Sequence, residues 1–353
     1  MPVFTDSGRL GSTVEPDAGN CLTIGLVNNM PDAALEATER QFTDLIRAAT
    51  PNSIVLLKLF AIPEMPRADA MRAELGGRYS DISELWNTPL DGLIVTGTEP
   101  RAKDLKDEPY WETLGKVVDW ARDNTASTIW SCLAAHAAVL HGDGIERRAL
   151  KEKLFGVFDC KLTAEHPMTA HFPDPLWVPH SRYNDLPERA LTSCGYRILT
   201  RSAVAGVDTF AKQDGSFFLF FQGHPEYEAD TLLREYRRDA VRFLAGERER
   251  YPAVPLGYFN DEAVMHAGAF RARALAERTP ELIADFPKNA LEMGLQCPWR
   301  PAAIGVYAKW VAYLTARKTE RRIMPVAARG TRLRRAWRDW PAGMRLAADG
   351  TVR

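Results

Sequence analysis

Two short segments of the sequence carry residue types suited to acyl-transfer chemistry. Cys132 follows the apolar run 127–131 and precedes an alanine-rich stretch, a pattern that predicts a strand, a sharp turn and a helix. His224 and Glu226 follow a second apolar run at 216–221, within the sequence Gly-His-Pro-Glu. A thiol at a helix N-terminus is favoured as the thiolate, and residues i and i+2 of an extended chain share one face. We therefore expect Cys132 as nucleophile, His224 as base and Glu226 as the group that orients the base.

The elements that position these residues follow from the alternation of sequence patterns. Runs rich in β-branched and aromatic residues predict strands, and the stretches between them predict helices. The predicted strands are 21–27, 53–62, 90–96 and 127–132, and the predicted helices include 36–48, 111–123 and 230–244. Such alternation gives right-handed βαβ units with the functional site at the carboxyl ends of the strands. The sequence thus predicts an α/β fold with a mostly parallel sheet flanked by helices.

The pattern changes in the middle and towards the end of the chain. Between about 154 and 222, short strands with Gly, Pro and Asp turns predict an antiparallel part of the sheet. Four regions are expected: a flexible leader at 1–20, a catalytic domain at 21–257, a helical part packing on the core at 258–316, and a basic tail of unassigned role at 317–353.

Further motifs match a known family in the same order along the chain. They lie at 25–31, 38–42, 91–97, 110–111, 152–157, 179–183, 223–227, 231–232, 235–239 and 299–300. With these motifs the sequence resembles the bacterial homoserine O-acyltransferases over roughly residues 21 to 315. The resemblance implies a flavodoxin-like, class I glutamine amidotransferase-like fold with a helical C-terminal appendage. It also implies a homodimer.

The resemblance implies a ping-pong reaction of methionine biosynthesis. An acyl-CoA would first acylate Cys132, and the hydroxyl of L-homoserine would then take the acyl group, with His224 as general base and Glu226 behind it. The small-molecule partners would be L-homoserine and the acyl-CoA co-substrate, succinyl-CoA or acetyl-CoA, with no further cofactor and no metal.

The resemblance also assigns binding roles. Arg238 matches the family arginine that holds the amino-acid carboxylate, a task suited to a planar guanidinium. Lys153 and Ser181 match positions that line the substrate pocket. The backbone N–H groups of Leu133 and Thr98, the latter in the Gly-Thr turn after the third predicted strand, would form the oxyanion hole.

The sequence departs from the family pattern at three positions. Leu133 and His136 stand where the family usually has Trp and Gln; His136 would either tune the thiol or take part in helix packing. Arg101 occupies the position that in the family helps to choose the acyl group, where a small residue leaves room for succinyl and an acidic residue favours acetyl. An arginine could pair with the succinyl carboxylate or fill the pocket. We favour succinyl-CoA, with acetyl-CoA as the alternative.

Other functions stay open on sequence grounds. The same Cys-His-Glu set on this fold hydrolyses amides in glutamine amidotransferases, although the glycines that usually flank that nucleophile are absent around Cys132. A binding protein with an unreactive Cys132 is a third class. Serine in place of homoserine differs by one methylene, about 1–3 kcal/mol of discrimination.

Composition narrows the setting of this chemistry. The net charge of -1 argues against general nucleic-acid binding, although the basic tail carries Trp337 and Trp340 among its arginines. The five scattered cysteines form no CxxC pair, so neither a disulfide framework nor a zinc site is indicated. Neither a secretory signal nor a membrane-spanning apolar stretch is evident, and we expect a cytoplasmic protein whose thiols stay reduced.

Overall fold

The computed structural model describes residues 3–5, 21–51 and 53–323. Its strands are β1 Val3–Thr5, β2 Leu22–Val27, β3 Val55–Ala61, β4 Ser80–Asp81, β5 Gly92–Val95, β6 Ser127–Ser131, β7 Arg148–Leu162, β8 Leu176–Asp185, β9 Arg197–Ile198, β10 Thr200–Ser202, β11 Gly206–Val207, β12 Thr209–Asp214 and β13 Ser216–Phe221. Its α-helices are α1 Asp32–Ala49, α2 Asp69–Leu75, α3 Ile82–Leu85, α4 Trp111–Asn124, α5 Leu133–Asp143, α6 Glu188–Ser193, α7 Thr231–Leu244, α8 Asp261–Glu277, α9 Lys288–Glu292 and α10 Arg300–Ile323.

The main sheet carries the nucleophile near its centre. Its strand order in the described residues is β1-β3-β2-β5-β6-β13-β12-β9, with β4 beside β3. The neighbours from β1 to β13 pair in parallel, and β12 and β9 are antiparallel. Strands β5, β6 and β13 are buried along their whole length, as expected of parallel strands covered on both faces. The predicted α/β fold with a mostly parallel sheet is confirmed.

Register aligns the carboxyl ends of the central strands. Val27 pairs with Val95, Val95 with Trp130, and Trp130 with Phe220. The loops that follow β2, β5, β6 and β13 therefore leave the sheet at one edge. This edge brings the segment of Cys132 next to the segment of His224.

Helices cover both faces of the main sheet. Helices α4 and α5 contribute to one buried apolar cluster, and α1 and α10 to the other. Trp310 of α10 is fully buried, and its indole Nε1–H donates a hydrogen bond of 2.9 Å to Ser127 Oγ at the start of β6. The last long helix is thus fixed directly to the strand that carries the nucleophile.

A smaller antiparallel sheet stands beside the main one. Its order is β11-β10-β7-β8, and the long strands β7 and β8 pair with a register shift between Ala149 and Leu154. This sheet lies within the segment where the sequence predicted antiparallel strands. Its β7 carries Lys153 and its β8 carries Ser181, so the hairpin delivers both to the site.

The ends of the chain add to the fold. Val3–Thr5, inside the predicted leader, forms an edge strand parallel to β3. Helix α10 runs through the boundary placed at 316 and reaches Ile323. The rest of the predicted leader and of the basic tail, with Trp337 and Trp340, lies outside the described residues. No helix in the described part of the chain is long and apolar enough to cross a membrane.

Candidate active site

Cys132 occupies a strained turn between a buried strand and a buried helix. Strand β6 ends at Ser131 and α5 begins at Leu133, and Cys132 between them has φ 53° and ψ -115°. For a residue with a Cβ such a conformation costs roughly 1–3 kcal/mol, and strain of this kind concentrates at functional sites. The Cys132 N–H donates to Phe221 O at 2.8 Å, which ties the turn to the end of β13. The same strand–turn–helix geometry presents the nucleophile in α/β-hydrolases.

The backbone beside Cys132 offers unpaired donors. Within the described residues neither the Leu133 N–H nor the Thr98 N–H donates a hydrogen bond. Gly97 lies against this turn, since a Cβ built on it would be 2.8 Å from Leu133 N and 3.2 Å from Ser131 O. Only glycine allows the loop after β5 to approach the start of α5 so closely. The two predicted oxyanion donors are thus on backbone segments in contact.

His224 connects the thiol to a buried carboxylate. The side chains of Cys132 and His224 are hydrogen-bonded to one another. On the other side of the ring, Nδ1 lies 2.8 Å from Glu226 Oε1. His224 and Glu226 are both buried, and the His224 N–H donates to Pro179 O at 2.8 Å. The structure therefore assembles the predicted Cys-His-Glu triad.

Charge on both sides determines the protonation of His224. Burial by itself would lower the pKa of the imidazole, but the Cys132 sulfur and the Glu226 carboxylate together hold it well above its ordinary value. The ring is therefore protonated when the thiolate is present. An imidazolium between a thiolate and a carboxylate can give a proton to a leaving group and take one back later.

A cluster of charged side chains adjoins the triad. Glu235 accepts hydrogen bonds from Ser181 Oγ and from Tyr227 Oη, the latter at 2.6 Å. Lys153 Nζ lies 3.3 Å from Glu235 and 3.1 Å from Asp239. Burial would raise the pKa of Glu235, yet Lys153 and Arg238 lower it, so the carboxylate is charged.

Arg238 lies at the border of this cluster. Its Nε and Nη2 donate to Asp239 Oδ1 at 3.1 and 3.0 Å, and Nη2 is 3.8 Å from Glu235. The side chain is 42% exposed, and Nη1 makes no hydrogen bond with another described residue. One edge of the guanidinium is therefore fixed by the buried Asp239, and the other is open to a ligand.

Tyr227 joins the two groups of residues. Its ring stacks on the His224 imidazole with the centroids 4.1 Å apart, and its hydroxyl binds Glu235. Lys153, Ser181 and Arg238 are thus brought together with the triad through two residues that sequence reasoning did not assign, Tyr227 and Glu235. Both lie inside matched motifs, and neither residue type distinguishes a ligand-binding group from an ordinary structural one.

His136 is a neutral, buried histidine. Its Nε2 lies 3.0 Å from Gln222 Oε1, and burial lowers its pKa to about 3. Leu186 N–H donates to the same Gln222 oxygen, so the His136 nitrogen is the proton donor. The imidazole carries no charge near neutral pH. Of the two roles considered for His136, the structure shows the packing one.

Arg101 lies on the loop after β5. Its backbone N–H, like that of Ala102, donates to Glu108 Oε1, which fixes the loop, while its side chain is exposed. The guanidinium forms no hydrogen bond or ion pair with any other described residue. It lines a cleft that also contains Arg67 and Arg72.

Neither metal binding nor disulfide bonding is seen at the site. The described residues contain no group of three or more His, Cys, Asp or Glu side chains that could hold a metal ion. All five cysteines are free, and Cys132 is partly exposed. The chemistry available here is therefore that of the thiol, the imidazole and the carboxylates.

Comparison with known proteins gives a consistent family. Residues 12–321 match the family described as "HTS: Homoserine O-succinyltransferase". A protein of Methylorubrum extorquens named homoserine O-succinyltransferase is 49% identical over 313 residues, which cover 88% of this chain and 93% of the relative. One of Rhodopseudomonas palustris with the same name is 50% identical over 299 residues, covering 85% and 90%. A solved glutamine amido transferase from Methylobacillus flagellatus superposes with a TM-score of 0.46 at 16% identity, covering 83% of this chain and 95% of that one.

Proposed function

The chain belongs to the homoserine O-succinyltransferase family, and on that premise we propose that it transfers a succinyl group from succinyl-CoA to the hydroxyl of L-homoserine through a thioester on Cys132. One observation carries the assignment of the nucleophile. Cys132 has positive φ at a strand–helix turn, and its side chain is hydrogen-bonded to a histidine that a buried glutamate holds. A non-catalytic protein has no use for this strain.

Acylation uses the charged form of the pair. The Cys132 sulfur attacks the thioester carbonyl, and the carbonyl oxygen becomes an oxyanion that the Leu133 and Thr98 N–H groups stabilise. The carbon–sulfur bond to CoA then breaks, and the proton of the His224 imidazolium passes to the leaving sulfur. The products of this half-reaction are free CoA, a succinyl thioester on Cys132 and a neutral His224.

The second half-reaction reverses the roles. Once the thiolate has become a thioester, one of the two charges that raise the pKa of His224 is gone, so the ring is a better base. It removes the proton from the homoserine hydroxyl as that oxygen attacks the thioester. Cys132 leaves as thiolate beside the newly formed imidazolium, and O-succinylhomoserine is released.

The charged cluster suits an α-amino acid. The open Nη1 edge of Arg238 can bind the substrate carboxylate, and the charged Glu235 can accept a hydrogen bond from the ammonium group. Lys153 and Ser181 hold Glu235 in place. The ring of Tyr227 lies between this cluster and His224, so an amino acid bound here extends its side chain along Tyr227 towards the base.

The choice of acyl donor rests on the relatives, which are named as succinyltransferases. The role of Arg101 in reading the succinyl carboxylate stays a prediction, as does preference for homoserine over serine. A cytoplasmic location, where the thiol stays reduced, and a symmetric homodimer are likewise proposed from the family resemblance.

The test is intact-mass spectrometry after brief mixing with succinyl-CoA or acetyl-CoA, with and without L-homoserine. A succinyl increment on the wild type that homoserine removes is the expected result. Cys132→Ser should show no thioester increment, while Cys194→Ser, which changes another partly exposed thiol, should behave like the wild type. An increment with acetyl-CoA alone would change the acyl donor. No increment with either donor, together with release of ammonia from glutamine, would establish an amidohydrolase instead.

A further inference from the structure

A basic cleft of about 450 Å³ opens on the carboxyl edge of the main sheet. Arg67, Arg72 and Arg101 line it together with a single carboxylate, that of Asp32. The three arginines come from two loops and one helix, following β3 and β5, and Asp32 begins α1 after β2. The lining thus has an excess of positive charge, and none of the residues assigned to the reaction except Arg101 belongs to it.

Arg67 is a fixed part of this cleft. Its side chain is only 3% exposed, and its Nη1 donates to Met30 O and to Asp32 Oδ1, each at 3.1 Å. Its Nη2 donates to Asn28 O at 3.2 Å, and its buried Nε has no hydrogen-bond partner among the described residues. The arginine joins the loops after β2 and β3 and neutralises Asp32, so the negative charge in the cleft is already paired.

The other two arginines keep their charge available. Arg72 donates only to the Pro63 carbonyl at 3.3 Å, and the Arg101 guanidinium has no partner in the described part of the chain. Elsewhere on this protein exposed arginines pair with carboxylates, as Arg40 does with Glu228 at 3.0 Å. Two arginines without a carboxylate partner on one concave surface attract an anion.

Helix α1 adds to this preference. The helix is 18 residues long, begins at Asp32 and has no side-chain cap at Pro31. The N-terminal end of its dipole, with the N–H of Ala33, therefore faces the cleft that these residues line. Planar guanidinium groups and a helix N-terminus together are the groups that bind phosphate esters in proteins.

The cleft is connected to the nucleophile by contacts between the loops. Asn29, next to Met30 in the cleft wall, receives a hydrogen bond from no distant group but donates through its N–H to Thr96 Oγ1 at 2.8 Å and through Nδ2 to Thr96 O at 2.9 Å. The following Gly97 packs against Leu133 N. The path from cleft to Cys132 therefore runs along one surface.

The distance fits an acyl-CoA. Neighbouring strands lie about 4.8 Å apart, so the ends of β2 and β3, two and three strands from β6, are roughly 10 and 15 Å from the turn at Cys132. The pantetheine arm, from its sulfur to the first phosphorus, is as long as four to five extended residues, about 15 Å. With the thioester at Cys132 the pyrophosphate would reach the cleft.

We infer that the basic cleft formed by Arg67, Arg72 and Arg101 binds the pyrophosphate of the acyl-CoA. The inference rests on the proposed function, since it needs a CoA thioester as the acyl donor. Arg72 and Arg101 contact the phosphates, and Arg67 holds the two loops that shape the cleft.

The experiment compares acyl donors that carry the same acyl group and different phosphates: succinyl-CoA, succinyl-dephospho-CoA and succinyl-pantetheine. Arg72→Gln and Arg101→Gln should each raise the KM for succinyl-CoA about tenfold and leave kcat within about twofold of the wild type. The same increase should appear with succinyl-dephospho-CoA, which keeps the pyrophosphate, and should vanish with succinyl-pantetheine. Arg189→Gln, an exposed arginine on α6 and outside the cleft, is the control for the change in net charge.

Different results overturn the inference in distinct ways. An unchanged KM for succinyl-CoA in both variants refutes the cleft as a phosphate site. An increase that persists in Arg101→Gln with succinyl-pantetheine, joined to a loss of preference for succinyl-CoA over acetyl-CoA, shows that Arg101 reads the acyl carboxylate instead. Failure of the wild type to form an acyl-enzyme with any of the donors refutes the proposed function itself.

Discussion

Replacement of Gly97 by alanine should slow acylation without unfolding the protein. The added Cβ would lie 2.8 Å from Leu133 N and 3.2 Å from both Leu133 Cβ and Ser131 O. The nearest of these atoms is backbone at the start of a buried helix, so the loop after β5 has to move away. Ordinary contact begins at about 3.4 Å, and the displacement is therefore roughly 0.5 Å or more, the tolerance of a preorganised site.

The size of the effect follows from the donors involved. The methyl group would lie against the Leu133 N–H, and the moving loop carries the Thr98 N–H. Loss of one oxyanion donor costs about 10²- to 10³-fold in rate, or roughly 2.7–4 kcal/mol. We expect acylation by succinyl-CoA to slow about 100-fold, while crowding lowers the free energy of unfolding by only about 1–3 kcal/mol.

Rapid-quench mass spectrometry of the acyl-enzyme measures the rate, and urea unfolding measures stability. Gly268→Ala is the matched control, because nothing lies within 4 Å of a Cβ at that helical position. It should acylate normally and gain about 0.5–1 kcal/mol of stability. A folded Gly97→Ala protein that acylates at the wild-type rate would show that these backbone groups do not form the oxyanion hole.

Three further substitutions test the electrostatics of the site. Glu226→Gln removes one charge that raises the pKa of His224, so the alkaline limb of kcat/KM for the acyl donor should move down by about one pH unit or more. Arg238→Ala should raise the KM for homoserine about tenfold or more and spare the KM for the acyl donor, whereas the exposed neighbour Arg237→Ala should change neither. His136→Gln should reduce acid sensitivity: its pKa of about 3 lies below the ordinary 6.5, so as pH falls below 6.5 only the unfolded chain takes up this proton. Urea unfolding at several pH values should show the wild type losing about 1.4 kcal/mol per pH unit more than the variant.

Each of these has an outcome that contradicts it. A pH profile unchanged in Glu226→Gln would mean that the carboxylate does not act on His224. Equal increases in both KM values for Arg238→Ala would place the amino-acid carboxylate elsewhere. Parallel pH dependence of stability in wild type and His136→Gln would mean that His136 is protonated in the folded protein.

The sequence alone determined the triad and the sheet that carries it. The strand–turn–helix pattern around Cys132 is local, as is the spacing of His224 and Glu226, and local patterns are fixed by the stereochemistry of a few adjacent residues. The alternation of strands and helices determined the parallel sheet in the same way. Parallel strands then place the loops at their carboxyl ends at one edge, which is why residues far apart in sequence could be assigned to one site.

Only the tertiary structure decided how the remaining groups combine. Glu235 binds Lys153, Ser181 and Tyr227, which reach it from three separate elements. The neutral state of His136 depends on Gln222, 86 positions away in the sequence. The basic cleft likewise arises where loops from three strands meet. Such contacts depend on sheet register and on burial, and neither is encoded in the spacing of the residues that make them.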